Sequence, residues 1–291
     1  MISANKEFNR LYPSEAACAE ALLAAKWPDG FVCSRCAHNR AYVTTTRKHP
    51  LYECAKCRYQ ASLIKGTVLE GTRTPLRKWF YAIFLASTPE GISATRLQLL
   101  IEVTYKTAWY MLTKIRHAIS GVDDGERLSG DVRIGYALYG RPYTHMFIDH
   151  PQEHPTLIAC SDDTDGQPAR IKMKPVPKHH VFQRSPRPIG VRTFKETHID
   201  LPNAVVTGVT TRYHPKRYRD LEAIANRGFK WINDTFCGIG PKYLKTYLDT
   251  FAFRFNRKFN KMATFQQLTE LCATRPTTVI RPQRNMRYRA A

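Results

Sequence analysis

No run of about 18 apolar residues occurs in this 291-residue chain, which excludes a membrane-spanning helix. Met1 to Tyr12 is polar and holds no signal-peptide core, so a cytoplasmic protein with no membrane partner is expected. Acidic residues are scarce. Only 24 Asp and Glu stand against 45 Lys and Arg, a net charge of +21 spread along the chain. A field that positive favours a polyanion, with nucleic acid ahead of an anionic membrane. Disorder is excluded by 43% hydrophobic and 11% aromatic residues, and the length allows two or three domains. A dense disulfide framework is missing too: Cys18, Cys160, Cys237 and Cys272 are scattered, as buried thiols are in a reducing compartment.

The other four cysteines are ordered. Cys33-Ser34-Arg35-Cys36 and Cys54-Ala55-Lys56-Cys57 form two Cys-x-x-Cys knuckles separated by residues 37–53. That spacing predicts a structural zinc ion on four thiolates, since each two-residue gap lets neighbouring sulfurs reach one tetrahedral centre. Two disulfides or four unrelated thiols are the alternatives. The intervening segment reads as a hairpin, with Ala41–Thr44 and Leu51–Glu53 β-prone around a basic turn at Thr45–Pro50, and Tyr59–Ile64 as a further strand. So small a ribbon buries little apolar surface, and metal binding should supply most of its folding free energy.

Ahead of the ribbon, Ser14 is placed to cap a helix over Glu15–Lys26, which Trp27-Pro28-Asp29-Gly30 ends. Beyond it, Gly66, Gly71 and Pro75 mark a connector. Apolar residues then recur at helical spacing in Leu76–Ala86, Ala94–Ile101 and Tyr105–Ile119, with a tight turn at Glu102-Val103-Thr104. Helix, break, short helix, turn, longer helix is the pattern of a helix-turn-helix, and a three-helix packing module without DNA is the bland alternative. In the first reading Tyr105, Lys106 and Thr107 enter the major groove while Lys114 and Arg116 reach phosphates.

After a polar boundary at Val122–Glu126 the texture changes. Val132–Tyr139, Thr156–Cys160, Ala169–Lys174 and Ala204–Thr207 read as strands, the second and third joined by a turn carrying Asp165-Gly166. Pro175–Pro188 reads as an exposed basic loop, in which His179-His180 is solvated and given no role. Lys242–Phe255 is an amphipathic helix with Leu244, Tyr247, Leu248, Phe251 and Phe255 on one side, and Phe265–Cys272 is the last helix. From Arg275 onward five Arg and no acids form a phosphate-seeking tail. The pattern predicts a multi-domain α+β chain ending in a mixed sheet flanked by helices.

Several blocks point to a family. The ribbon, Trp27-Pro28-Asp29-Gly30, Pro75-Leu76-Arg77-Lys78-Trp79 and Lys106-Thr107-Ala108-Trp109-Tyr110-Met111-Leu112 resemble the N-terminal region of IS1595-type (ISXO2-like) insertion-sequence transposases. So do Gly238–Leu244 and Tyr247–Arg257 near the other end. The resemblance implies an RNase H-like domain with a DDE-type acidic triad holding two Mg²⁺ ions, and transposon ends and target duplex as DNA partners for a possible homo-oligomer. It divides the chain into helix and zinc ribbon (1–70), helix-turn-helix (71–122), RNase H-like mixed α/β domain (123–275) and basic tail (276–291).

The chain departs from the family where the chemistry sits. Gly135 and Gly208 stand where the family carries its first two Asp, and Tyr136 where it carries Glu. Asn226 lies near the third position, one residue out of register. Two lost carboxylates predict loss of tight Mg²⁺ binding and of strand transfer. Asp131, Asp200 and Glu222 are the substitutes to be weighed, each also readable as an ordinary surface carboxylate. An active transposase using such displaced acids, or a DNA-binding regulator on the same scaffold, are the other readings.

Overall fold

A computed structural model of the chain describes residues 2–44, 46, 50–140, 151–211, 214 and 216–276. The polar N-terminus forms a helix, α1 (Ile2–Leu11), anchored by Phe8, which is buried. In α2 (Glu15–Lys26) the Ser14 hydroxyl accepts the Ala17 N–H at 3.1 Å, satisfying a helix-start donor as the sequence predicts. The ribbon follows as an antiparallel sheet of β1 (Ala41–Thr44), β2 (Leu51–Cys54) and β3 (Gln60–Ser62), in that spatial order. Tyr52 on its inner face packs on Trp27 and Phe31, ring centroids 5.1 and 5.9 Å away. Most of the predicted basic turn at Thr45–Pro50, and nearly all of the tail from 276, lie outside the described residues.

Helices α3 (Leu76–Ser87), α4 (Ala94–Ile101) and α5 (Tyr105–Gly125) follow where the periodicity places them. Ser93 caps α4 and Thr104 caps α5, while Glu102 takes the left-handed conformation (φ 50°) that turns the chain between them. The sequence ends the third helix at Ile119, but α5 continues to Gly125, within the expected boundary at Val122–Glu126, with Ala118, Ile119, Ser120 and Asp123 buried over its last turns.

A mixed sheet makes the second layer system. Its spatial order is β6-β5-β4-β9, from β4 (Leu128–Tyr139), β5 (His154–Asp162), β6 (Pro168–Pro175) and β9 (Ile199–Gly208). The first three are antiparallel neighbours, and β9 runs parallel to β4. Between β6 and β9 the stretch read as an exposed loop contains a 3₁₀ turn at Lys178–His180, a short hairpin of β7 (Val181–Phe182) and β8 (Ser185–Pro186), and then α6 (Pro188–His198). Val132, Ile134 and Ile199 face α6, whose Phe194 completes that core. The other sheet face is covered by α7 (Arg219–Phe236) and α8 (Pro241–Phe255).

The last helix, α9 (Lys261–Thr274), corrects the expected division. Its Phe265, Leu268 and Cys272 join one core with Phe8, Leu22, Tyr52, Trp79, Phe84, Leu97 and Ile115. The Val68 N–H also donates to the Cys272 carbonyl at 2.8 Å. The apolar side of α9 packs on the N-terminal helices rather than on the sheet. Ribbon, connector and α3–α5 therefore share a core rather than forming two.

Candidate metal centre and nucleic-acid interface

The ribbon brings its cysteines together. Sγ of Cys33 lies 3.6 Å from that of Cys57, and Cys36 lies 3.5 Å from Cys54. All four sulfurs fall within 4.8 Å of one another. A tetrahedral zinc with Zn–S of about 2.3 Å requires sulfurs about 3.8 Å apart, whereas a disulfide requires about 2.05 Å. The set fits one zinc ion. Burial raises Cys54, but the N–H groups of Cys57 and Lys56 aimed at its sulfur, helped by the facing thiols, bring it down to about 6. Cys36, despite the His38 N–H, is pushed up to about 12 by burial and the facing thiols. Ala37 and Arg58, at φ 56° each, turn the chain behind the knuckles.

The predicted DNA contacts separate into two sets. Tyr105, 52% exposed, and Lys106 stand outside on the first turn of α5. Thr107 is half-buried, its N–H donated to Thr104. Lys114 and Arg116 correct the sequence reading. Both are buried, at 4% and 7% exposure. Lys114 donates to the carbonyls of Val68 and Glu70 at 2.8 and 2.9 Å, tying α5 to the connector. Arg116 lies 4.3 Å over the Tyr247 ring of α8, and burial lowers its pKa. Neither reaches a phosphate, because this part of α5 is clasped between the N-terminal core and α8.

On the sheet, a Cβ at Gly135 would touch the Leu221 side chain of α7 at 3.3 Å, whereas one at Gly208 would meet Ile134 at 3.5 Å. Gly208 pairs with Ile134, the neighbour of Gly135. Side chains alternate along a strand, so the two glycines address opposite faces of the sheet. Asp131 sits four residues earlier on β4, about 13 Å from Gly135, and pairs with Val205. Asp200 lies at the starting end of β9, accepting from Asn203 at 2.8 Å. Glu222 and Asn226 lie one turn apart on α7. They line a cleft with Tyr136, Gly140, Arg217 and Tyr218, in which Glu222 is the only carboxylate among the described residues. It pairs with Arg217 at 3.3 Å. Nearby, Arg133 engages both Asp162 at 2.5 Å and Asp220 at 2.7 Å, holding the Asp162 carboxyl low.

Sequence reasoning missed a second gathering of carboxylates. Asp123 and Asp124 at the end of α5 and Asp249 of α8 bring oxygens within 4.8 Å of one another. Lysines fill the space. Lys174 reaches Asp123 and Asp249 at 2.6 Å and Asp124 at 3.0 Å, Lys172 reaches Asp123 at 3.1 Å, and Lys245 reaches Asp124 at 2.8 Å. Against its burial, Asp249 and Asp123 raise the Lys174 pKa, whereas burial lifts Asp249 itself above the ordinary carboxylate range. The arrangement is an ion-pair junction between α5, β6 and α8. Lys172 and Lys174, two apart on a strand, were the signal that one face carried them.

Compared with known proteins, residues 13–60 match a transposase zinc-ribbon domain of IS1595 type. No curated protein and no solved structure matches the chain. The matched stretch contains the four cysteines gathered above.

Proposed function

We propose that this chain is an IS1595-like transposase that grips double-stranded DNA through its zinc ribbon and an α4–α5 helix-turn-helix, and whose DDE-type strand-transfer chemistry is lost. The tight turn at Glu102 and the exposed first turn of α5 support the helix-turn-helix assignment. The strand order β6-β5-β4-β9, with only β9 parallel to its neighbour, supports an RNase H-like sheet. The charge of +21 supplies the attraction to phosphates.

The observation that carries the loss of chemistry is the placement of Gly135 and Gly208 on opposite faces. Two hard divalent cations need charged oxygens converging from neighbouring strands. Among the described residues the cleft offers Glu222 alone, already paired with Arg217, and these residues do not fit a pair of Mg²⁺ ions. Asp131 and Asp200 lie nearer the starting ends of their strands, which disfavours an active enzyme built on them. Restoring Gly135→Asp and Gly208→Asp leaves the two carboxylates on different faces and rescues nothing.

Purified protein incubated with its own element's ends and Mg²⁺ or Mn²⁺ should retain the duplex in a gel shift yet neither nick nor join it. Cleavage that vanishes in Glu222→Ala, Asp131→Ala or Asp200→Ala overturns the reading. A regulator built on the same scaffold differs in its target. Footprints confined to terminal inverted repeats mark the transposase, and footprints elsewhere mark the regulator.

A further inference from the structure

The outer face of the ribbon carries a feature that zinc binding does not use. Strand alternation sends Tyr52 and Ala61 inward, where both are buried, and leaves Tyr42, Glu53 and Gln60 in one row across the three strands. Tyr42 is 61% exposed, on an edge strand. A large aromatic so open on a small metal-stapled sheet adds nothing to its core. Arg58, in the left-handed conformation behind the second knuckle, stands 5.7 Å over the Tyr42 ring. Glu53 fixes it there, accepting from Arg58 at 3.1 Å and from Gln60 at 2.9 Å. Arg40, two residues before Tyr42, and the knuckle residues Arg35 and Lys56 are exposed on the same ribbon. Against these four cations the described ribbon has one carboxylate, Glu53, and its two bonds are internal.

We propose that Tyr42, backed by Arg58 and flanked by Arg40, is a stacking platform for an unpaired base, and that the ribbon's outer face takes single-stranded DNA. An intact duplex hides its base faces within the stack, so an open ring flanked by cations matches an unstacked strand whose phosphates lie within reach. The cations supply charge complementarity and the ring supplies an affinity that duplex cannot use. This rests on the proposed DNA-binding function and assigns a partner form to one part of it.

The test uses the full-length, zinc-loaded protein and labelled 12-nucleotide oligothymidylate and a duplex of equal length, compared by fluorescence anisotropy at one ionic strength. Tyr42→Ala is expected to weaken oligothymidylate binding about tenfold while duplex affinity changes less than about twofold. Tyr42→Trp, which no unfolding can mimic, should hold or tighten single-strand binding, and zinc content should stay at one per chain in both variants. If Tyr42→Ala leaves single-strand binding unchanged, or weakens both forms equally, the platform is overturned while duplex binding stands. If the unaltered protein binds neither form, the DNA-binding function falls with it.

Discussion

Among the described residues, two places gather ligands closely enough to share one cation: the thiols of Cys33, Cys36, Cys54 and Cys57, and the carboxylates of Asp123, Asp124 and Asp249. They are satisfied in opposite ways. The ribbon leaves its sulfurs 3.5–3.6 Å apart across the knuckle pairs, a space shaped for a metal ion. At the junction of α5 and α8, a third element, β6, pushes Lys172 and Lys174 into the middle. The ribbon is a short sheet with little apolar area of its own to fold on, so a metal does that work. The larger unit has layers to spare. There the counter-charge comes from lysines of a third packed element, β6.

The comparison breaks most visibly at the thiolates. Cys33→Ser should abolish stoichiometric zinc by metal analysis and strip residues 31–60 of amide-exchange protection, since metal binding there is worth on the order of 10 kcal/mol. A folded ribbon without metal would refute it. At the junction the expected cost is smaller. Lys174→Met leaves Asp123 and Asp249 buried beside fewer cations, and should lower stability to urea by about 3–5 kcal/mol. Adding Asp249→Leu should recover much of that loss, whereas an unmoved midpoint in the single variant would show that the lysine is not the cluster's counterion.

His198 sharpens the same contrast through pH. It is buried, and desolvation first, then Lys174 and Lys172, lowers its pKa from 6.5 to about 4. Asp123 and Asp124 oppose that shift. The folded state therefore keeps His198 neutral where the unfolded chain protonates it. Its contribution is fully present above pH 6.5 and is lost as pH falls toward 4, at up to about 1.4 kcal/mol per unit. Urea midpoints at pH 7 and pH 5 should converge in His198→Gln relative to the unaltered protein. The smallest effect separates the two lysines of α5. Lys106→Ala should reduce the salt dependence of duplex binding by about one in log–log slope with stability nearly unchanged. Lys114→Met should instead destabilise the fold and leave the slope alone.

How far the sequence carried depended on whether a feature was local. The zinc ligands, the Ser14 cap and the bounds of α4 follow from spacing and short-range chemistry, and the structure keeps them. The hairpin turn at Asp165-Gly166 does too, with Gly166 at φ 71°. Helix α7 was legible and overlooked: Leu221, Ala225, Phe229 and Ile232 recur at helical intervals. Other features were not written locally at all. Nothing about Lys114 or Arg116 announces burial, because that follows from two cores closing on α5 from different sides. The opposed faces of Gly135 and Gly208 depend on the register between β4 and β9, which a residue-by-residue resemblance does not contain. The destination of α9 likewise depends on which surfaces other helices have already covered.

The unbroken course of α5 has a consequence of its own. Its 21 residues carry Tyr105 at one end and Asp123, locked to β6, near the other, a rod about 30 Å long. Whatever docks on the first turn is thereby set at a fixed azimuth to the sheet, and that azimuth is counted in residues. Inserting one residue midway would swing the Tyr105 turn by about 100° about the rod, while inserting four would bring it nearly back into phase, displaced by about 6 Å. The helix works as a protractor as much as a spacer.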